Sequence, residues 1–289
     1  MIVEKINSYM DKQRKQYPVS SNRAGELGHP CIRYLTFLRV RGEERPIHSL
    51  DTQFIFLEGQ LAEKSVLRLL EDSGIEVIEQ QKSFQWREYQ IGGKLDGKII
   101  HEDKMLPLEI KRMSPYLFDK MNTVDDLLKS KYYYKYPAQL TLYLLMDSQE
   151  QGIFIIKNPV TGRLKEILLN LDYEYGESLI KKAEQVNTCI ADNTIPNPIP
   201  WEETCEKCCF KHLCLQEVLR KEIEFVVDQE LEELVQGFHE LKQWRDEWEK
   251  INKKLKERLH GVEKIVIGEY LVLGKSFGTN GWKISYQKL

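Results

Sequence analysis

The chain has 289 residues, 42% of them apolar, enough for one large domain or for a domain with an appendage. Its formal net charge of −3 excludes a strongly basic protein, so any nucleic-acid contact has to come from a local groove and not from a global field. No apolar run approaches the roughly 18 to 20 residues of a membrane span, and the N-terminal MIVEKINSYMDKQRKQYP is charged and amphipathic, so a soluble intracellular protein is expected.

Residues 1–20 read as a helix with Ile2, Ile6 and Met10 at helical spacing. In 22–45, Pro30 just before Cys31 starts a second helix that buries Tyr34, Leu35 and Leu38; Arg33, Arg39 and Arg41 form either a phosphate-binding edge or a solvated face. From Thr52 to Ser73 apolar residues recur every three to four positions, and Gly74 stops the helix. Glu58 and Glu63 lie on it five apart, too far round to face one site together. Gly59 inside it costs about 1 kcal/mol relative to alanine, which predicts close packing or the approach of another group there. Strand-like runs follow at 75–79 and 81–89.

The centre of the chain is GGKLDGKIIHEDKMLPLEIKR, 92–112. Two β-type runs, 93–100 and 105–110, flank a polar turn at 102–104 and predict a hairpin. Asp96 sits on the first run; Glu109 and Lys111, two apart on the second, share a face. Two carboxylates and a lysine then converge at one end of a sheet, a donor set suited to Mg²⁺ or Mn²⁺ and to phosphodiester chemistry. The alternative is a turn aspartate and a solvated ion pair.

Farther on, Pro137 fits the first turn of a helix that carries Gln139 and Tyr143 on one face. Tyr132, Tyr133, Tyr134 and Tyr136, interleaved with Lys131 and Lys135, either stack bases and hold phosphates or pack as a loop. A second hairpin spans 152–170, and a helix spans 173–191 with Cys189 as a small buried residue. The proline-rich IPNPIPWEE is a rigid connector. This order of elements predicts an α/β fold with a mixed central sheet flanked by helices.

Four of the six cysteines crowd into 205–214. Cys205, Cys208 and Cys214 read C-x₂-C-x₅-C, Cys209 points elsewhere, and the fourth ligand of a closed site is Cys31, with Cys189 as competitor. Spacing alone admits zinc or an iron–sulfur cluster. A ligand so far upstream makes the centre a clasp whose loss unfolds the module. Beyond it, 222–260 predicts a long charged helix that packs on a partner or on another copy, or folds back near Gly237. Residues 262–289 predict three short strands with turns at Gly268 and 279–281, where Trp282, Lys283 and Tyr286 either touch DNA or pack a small sheet.

From Cys31 to Cys214 the chain resembles the iron–sulfur members of the RecB-like branch of the PD-(D/E)XK nucleases, among them the CRISPR-adaptation nucleases and the AddB nuclease domain. The carriers are Gly59 with Glu63, Asp96 in GGKLDG, Glu109-Ile110-Lys111, Gln139 with Tyr143, and Cys31, Cys205, Cys208 and Cys214. The resemblance implies a restriction-endonuclease-like nuclease domain over 1–220, closed by a [4Fe–4S] site, with 221–289 as an appendage for oligomerisation or DNA contact. It implies a Mg²⁺- or Mn²⁺-dependent exonuclease acting on DNA with a single-stranded or free end, in recombination, repair or phage replication, in the cytoplasm of a bacterial or phage-infected host cell. Asp96, Glu109 and the Ile110 carbonyl would hold the metal, Glu63 would complete its shell, and Lys111 would position the water. Gln139 and Tyr143 would orient the site or the DNA, which Arg33, Tyr134 and Tyr136 would contact. Glu63 departs from the histidine usual in this branch, and Glu58 is the fallback for its role. The tail resembles those of phage-type recombination exonucleases, and the long helix would join a second copy or a recombination partner. The alternatives are a nuclease-fold DNA-binding or assembly module, and a nuclease of CRISPR spacer acquisition.

Overall fold

The computed structural model describes residues 1–16, 19–102, 104–200, 203–214, 229–277 and 281–289. The chain divides into two units, Met1–Lys221 and Glu222–Leu289. The first is mixed α/β. Its five-stranded sheet runs in the order β2 (Val77–Ile78), β5 (Gly97–His101), β6 (Lys104–Arg112), β7 (Gln151–Lys157) and β8 (Leu164–Asn170). The β5–β6 and β7–β8 pairs are antiparallel, and β6 runs parallel to β7. The connection from β6 to β7 carries α4 (Pro115–Lys120), α5 (Val124–Leu128) and α6 (Lys135–Asp147), the crossover that a parallel pair demands.

Alternation along β6 decides what each face meets. Leu106, Leu108 and Ile110 pack with Val66, Leu67 and Leu70 of α3 (Leu50–Asp72). Across the other face, Phe154 and Ile156 of β7 pack with Leu140 and Leu144 of α6. Glu109 and Lys111 pair with Phe154 and Ile156 in the parallel ladder, so they belong to the α6 face. Each fully buried leucine or isoleucine contributes roughly 1.5–3 kcal/mol, and that apolar surround holds a charged pair inside a sheet.

A second, three-stranded sheet has β4 (Ile91–Lys94) between β1 (Asn22–Arg23) and β3 (Ser83–Trp86). Its core joins Ile91 and Phe84 to Tyr34, Leu35 and Leu38 of α2 (Ile32–Val40) and to Leu179, Ala183 and Val186 of α7 (Tyr173–Ala191). α8 (Glu203–Glu206) follows the proline-rich connector.

Several expectations need correction. The run expected as one strand over 93–100 is two strands in different sheets, and Asp96 lies at the break between β4 and β5. α1 covers only Ile2–Lys12, with Ile2 and Ile6 exposed and Met10 buried. Gly59 has open space where a Cβ would sit, so close packing does not explain it. Only the C-terminal half of α3 enters the core; Ile55, Phe56 and Leu61 are exposed. Cys189 is half-buried and not a core residue. In the polar turn, Asp103 lies outside the described residues.

The second unit holds α9 (Gln229–Arg258) and an antiparallel sheet of β9 (Lys264–Ile267), β10 (Tyr270–Phe277) and β11 (Gly281–Lys288). α9 runs through Gly237 without a break, which excludes the fold-back there. Gly268 turns at φ +61°, a conformation glycine adopts freely; Thr279 and Asn280 of the other expected turn lie outside the described residues. Trp282 packs beside His260 at 5.6 Å, whereas Lys283 and Tyr286 are exposed. Among the described residues no helix is long and apolar enough to cross a membrane.

Candidate active site

Four parts of the fold build the site: the break between β4 and β5, then β6, α6 and α3. Where β4 gives way to β5, Asp96 is turned toward β6 and its Oδ2 accepts from the backbone N–H of Ile110 at 2.7 Å. β6 supplies Glu109 and Lys111. α6 lies across them and delivers Gln139 and Tyr143, four apart on one face. α3 brings Glu63 from the other side, half-buried and holding the side-chain amide of Gln81. Glu58 is exposed. The Ile110 carbonyl lies between Glu109 and Lys111 in the β6 ladder.

Glu109 is 0% exposed. Its Oε2 lies 2.6 Å from the Lys111 ammonium, and neither carboxylate oxygen makes a well-directed hydrogen bond. Burial, reinforced by Asp96 and Glu63 and only partly offset by Lys111, pushes its carboxyl up to about 8. Asp96 is raised too, chiefly by burial, against the pull of Lys111 and the Ile110 N–H. Glu63 is raised by burial and then by Asp96. Three acids that repel one another out of water form a site waiting for positive charge. Lys111 supplies one such charge: burial alone would lower its pKa, but Glu109 and Asp96 outweigh that and hold it above the ordinary lysine value.

The lysine is fixed from two more directions. Gln139 Oε1 accepts from its Nζ at 3.2 Å, and the Tyr136 ring lies 4.9 Å below it. Gln139 donates in turn to the Tyr143 hydroxyl at 3.3 Å. That hydroxyl accepts from Lys94 N at 2.9 Å and donates to Lys94 O at 3.1 Å, which clamps α6 to β4. Burial, and then the charge of Glu109, push the phenol up to about 12. The clamp requires Gly93, because a Cβ there would stand 2.5 Å from the Tyr143 hydroxyl.

Of the other sequence-chosen residues, Tyr134 lies at the start of α6, lining a cavity of about 280 Å³ with Lys129, Lys131 and Lys207. Arg33 is not on a phosphate-binding edge. It is 2% exposed, donates to the Pro196 carbonyl at 3.1 Å and sits beside Cys214. Arg39 is likewise structural, bonding to Asn187, Gln90 and the Ser20 carbonyl.

Sequence reasoning missed Gln81, Gly93 and the pair Lys98–Asp147, which is buried and 2.7 Å apart. Asp147 is four residues past Tyr143, so a readable signal was the Gln139, Tyr143, Asp147 spacing. For Gly93 it was the doubled glycine before Asp96.

Cys31, Cys205, Cys208 and Cys214 line one cavity of about 190 Å³ with Tyr34, Phe37, Ile199 and Phe210; Cys189 and Cys209 do not line it. Cys31 caps α2, its sulfur accepting from Tyr34 N at 3.4 Å, and Cys208 accepts from Phe210 N at 3.4 Å. Among the described residues no three His, Cys, Asp or Glu side chains gather closely enough to hold a single metal ion, here or at Asp96 and Glu109.

No protein-family model matches the chain, and no curated protein does. Among solved structures, the crystal structure of SSO0001 matches 74% of this chain and 96% of its own, with a TM-score of 0.48 at 18% identity. The alkaline exonuclease LHK-Exo from Laribacter hongkongensis matches 64% of this chain and 93% of its own, at 0.43 and 12%. LHK-Exo in complex with dAMP gives 60% and 89%, at 0.41 and 13%. Likenesses this weak say nothing of the chemistry at the site.

Proposed function

We propose that the chain is a metal-dependent DNA nuclease of the RecB-like PD-(D/E)XK type, acting as an exonuclease on single-stranded ends. The observation that carries the proposal is Glu109: a fully buried carboxylate with one oxygen against Lys111, the other without a partner, and two more acids within electrostatic reach. A purely structural ion pair would need neither Asp96 nor Glu63 beside it, and both raise its cost. The donor set fits a hard divalent cation held by Asp96, Glu109, the Ile110 carbonyl and Glu63. The carboxylates are spread more widely than single-ion ligands, so they would close on it as it binds. When bound, Mg²⁺ or Mn²⁺ would supply Lewis acidity at a phosphoryl oxygen and acidify a water.

Lys111 does the remaining work. Held protonated by Glu109 and Asp96, it is no general base; its ammonium orients the water that attacks phosphorus in line with the departing sugar oxygen. Gln139 and Tyr136 keep it aimed. A route for the strand is offered by a polar cleft of about 370 Å³ lined by Lys15, Arg23, Arg45, His48, Phe56 and Gln60. Its lining is close in sequence to residues of the site: Gln60 is one helical turn before Glu63, and Gly25, two residues past Arg23, lies against Gln139. Cations for phosphates beside an aromatic ring for a base are the means by which single strands are held.

The four sulfurs line one cavity, a donor set that suits zinc as well as an iron–sulfur cluster, and the family resemblance favours the [4Fe–4S] cluster. Arg33 then offsets the charge of the thiolates from the buried side. Brown protein with stoichiometric iron and sulfide is expected; colourless protein with one zinc would overturn that assignment.

The test is digestion of end-labelled single-stranded DNA in Mn²⁺ by the full chain and by Lys111→Ala. A loss of about 10³-fold in kcat is expected. Undiminished cleavage by the variant would remove Lys111 from the chemistry. Tight binding without cleavage by the parent would make the chain a DNA-binding module.

A further inference from the structure

The long helix of the second unit carries an apolar seam that its own unit leaves largely exposed. Leu234, Phe238, Leu241, Trp248 and Leu255 recur at steps of four, three and seven, the heptad pattern, and Trp244 and Ile251 widen the stripe on one side. From Leu234 to Ile251 exposure runs from 56% at Trp248 to 72% at Phe238, while Leu255 is half-buried. An isolated helix gains nothing from presenting these residues to water, and a patch of this size marks an interface. Two such seams pressed together remove on the order of 1,000 Å² of apolar surface, enough for a specific association.

Charge decides the occupant and its direction. The first part of α9 holds Glu230, Glu232, Glu233 and Glu240 and no lysine or arginine before Lys242. Its last part holds Lys250, Lys253, Lys254, Lys256 and Arg258 against the single Glu257. A second copy laid parallel would set acid on acid and base on base. Laid antiparallel, it sets each acidic end on the other's basic end. We infer that α9 pairs antiparallel with α9 of a second copy, so that the protein is a homodimer joined through its second unit. Within the seam, Arg245 and Asn252 fall at heptad positions shared with Phe238; such polar residues fix register at some cost in stability.

The proposal is independent of the chemistry assigned to the first unit. Its test is sedimentation equilibrium on the full chain with three variants: Trp248→Glu, an acidic-end reversal (Glu230→Lys, Glu232→Lys, Glu233→Lys), and a basic-end reversal (Lys250→Glu, Lys253→Glu, Lys254→Glu). A dimer is expected for the parent, weakened at least about 30-fold by Trp248→Glu. Each reversal alone should weaken the dimer, and an equimolar mixture of the two should restore it, an attraction between whole helix ends since most of these charges lie outside the seam. Circular dichroism of the mixture against its parts separates loss of pairing from loss of helix. A monomeric parent at tens of micromolar, as when the stripe docks on its own chain, overturns the proposal. So does a dimer that either reversal leaves unchanged, since parallel ends repel with either sign.

Discussion

At the residue scale, Glu109 ties stability to pH in a way that an ordinary surface acid would not. Its folded pKa of about 8 lies above the ordinary carboxylate value of 4.5. The folded state therefore holds a proton that the unfolded state has released. This contribution is complete below pH 4.5 and is lost as pH rises through 8, and the raised Asp96 and Glu63 act in the same direction. Metal-free protein should melt progressively lower from pH 5 toward pH 8.5, and Mn²⁺ should raise Tm more at the alkaline end, where the acids are bare. An equal Mn²⁺ effect at both pH values, or one that survives Asp96→Asn, would place the ion elsewhere. Gly93→Ala is a second residue-scale test. It drives a methyl into the Tyr143 hydroxyl, so it should cost on the order of 1–3 kcal/mol in urea unfolding and lower kcat as Gln139 and Lys111 lose their alignment.

At the scale of elements, α6 works as a zipper along the sheet. Gln139, Tyr143 and Asp147, one turn apart, meet Lys111, the Lys94 backbone and Lys98. Asp147→Asn leaves the buried Lys98 paired only with the more exposed Glu79, 2.5 Å away, and should cost about 1–3 kcal/mol while sparing metal affinity. Calorimetric melting beside Mn²⁺ titration separates the two; a stable variant would show that Glu79 suffices. Elements of this kind were readable where one periodicity ruled: α3, α6, the two hairpins and the tail sheet followed from spacing alone. Spacing also put Glu109 and Lys111 on one strand face and Gln139 and Tyr143 on one helix face, while a role for the second pair came only from the family resemblance. The rest depended on neighbours distant in the chain. β4 leaves the expected hairpin because a two-residue strand from 22–23 pairs with it, and nothing local announces that. Arg33 looked like surface because arginine usually is, yet its helix buries six consecutive residues, four of them in one apolar core. Gly59 was given a packing reason that the structure does not supply.

At the scale of the molecule, the cysteine cavity joins the beginning of the first unit to its end. Cys31→Ala should therefore cost soluble yield before it costs catalysis, whereas Cys209→Ala, outside the cavity, should leave both close to parental. Soluble yield and cleavage per milligram report the two effects separately. Intact yield in the first and lost yield in the second would reverse the ligand choice.

That arrangement also sets an order on biosynthesis. Cys31 leaves the ribosome early, and the companions it faces across the cavity are not made until residue 214. Through most of translation α2 must wait with the aromatic rings of Tyr34 and Phe37 lacking Phe210, whose ring later packs edge-on to the first and tilted against the second. A nascent chain arrested before Cys205 would thus be protease-sensitive at its front end, and under the cluster proposed above the full chain made without iron would take the same open form.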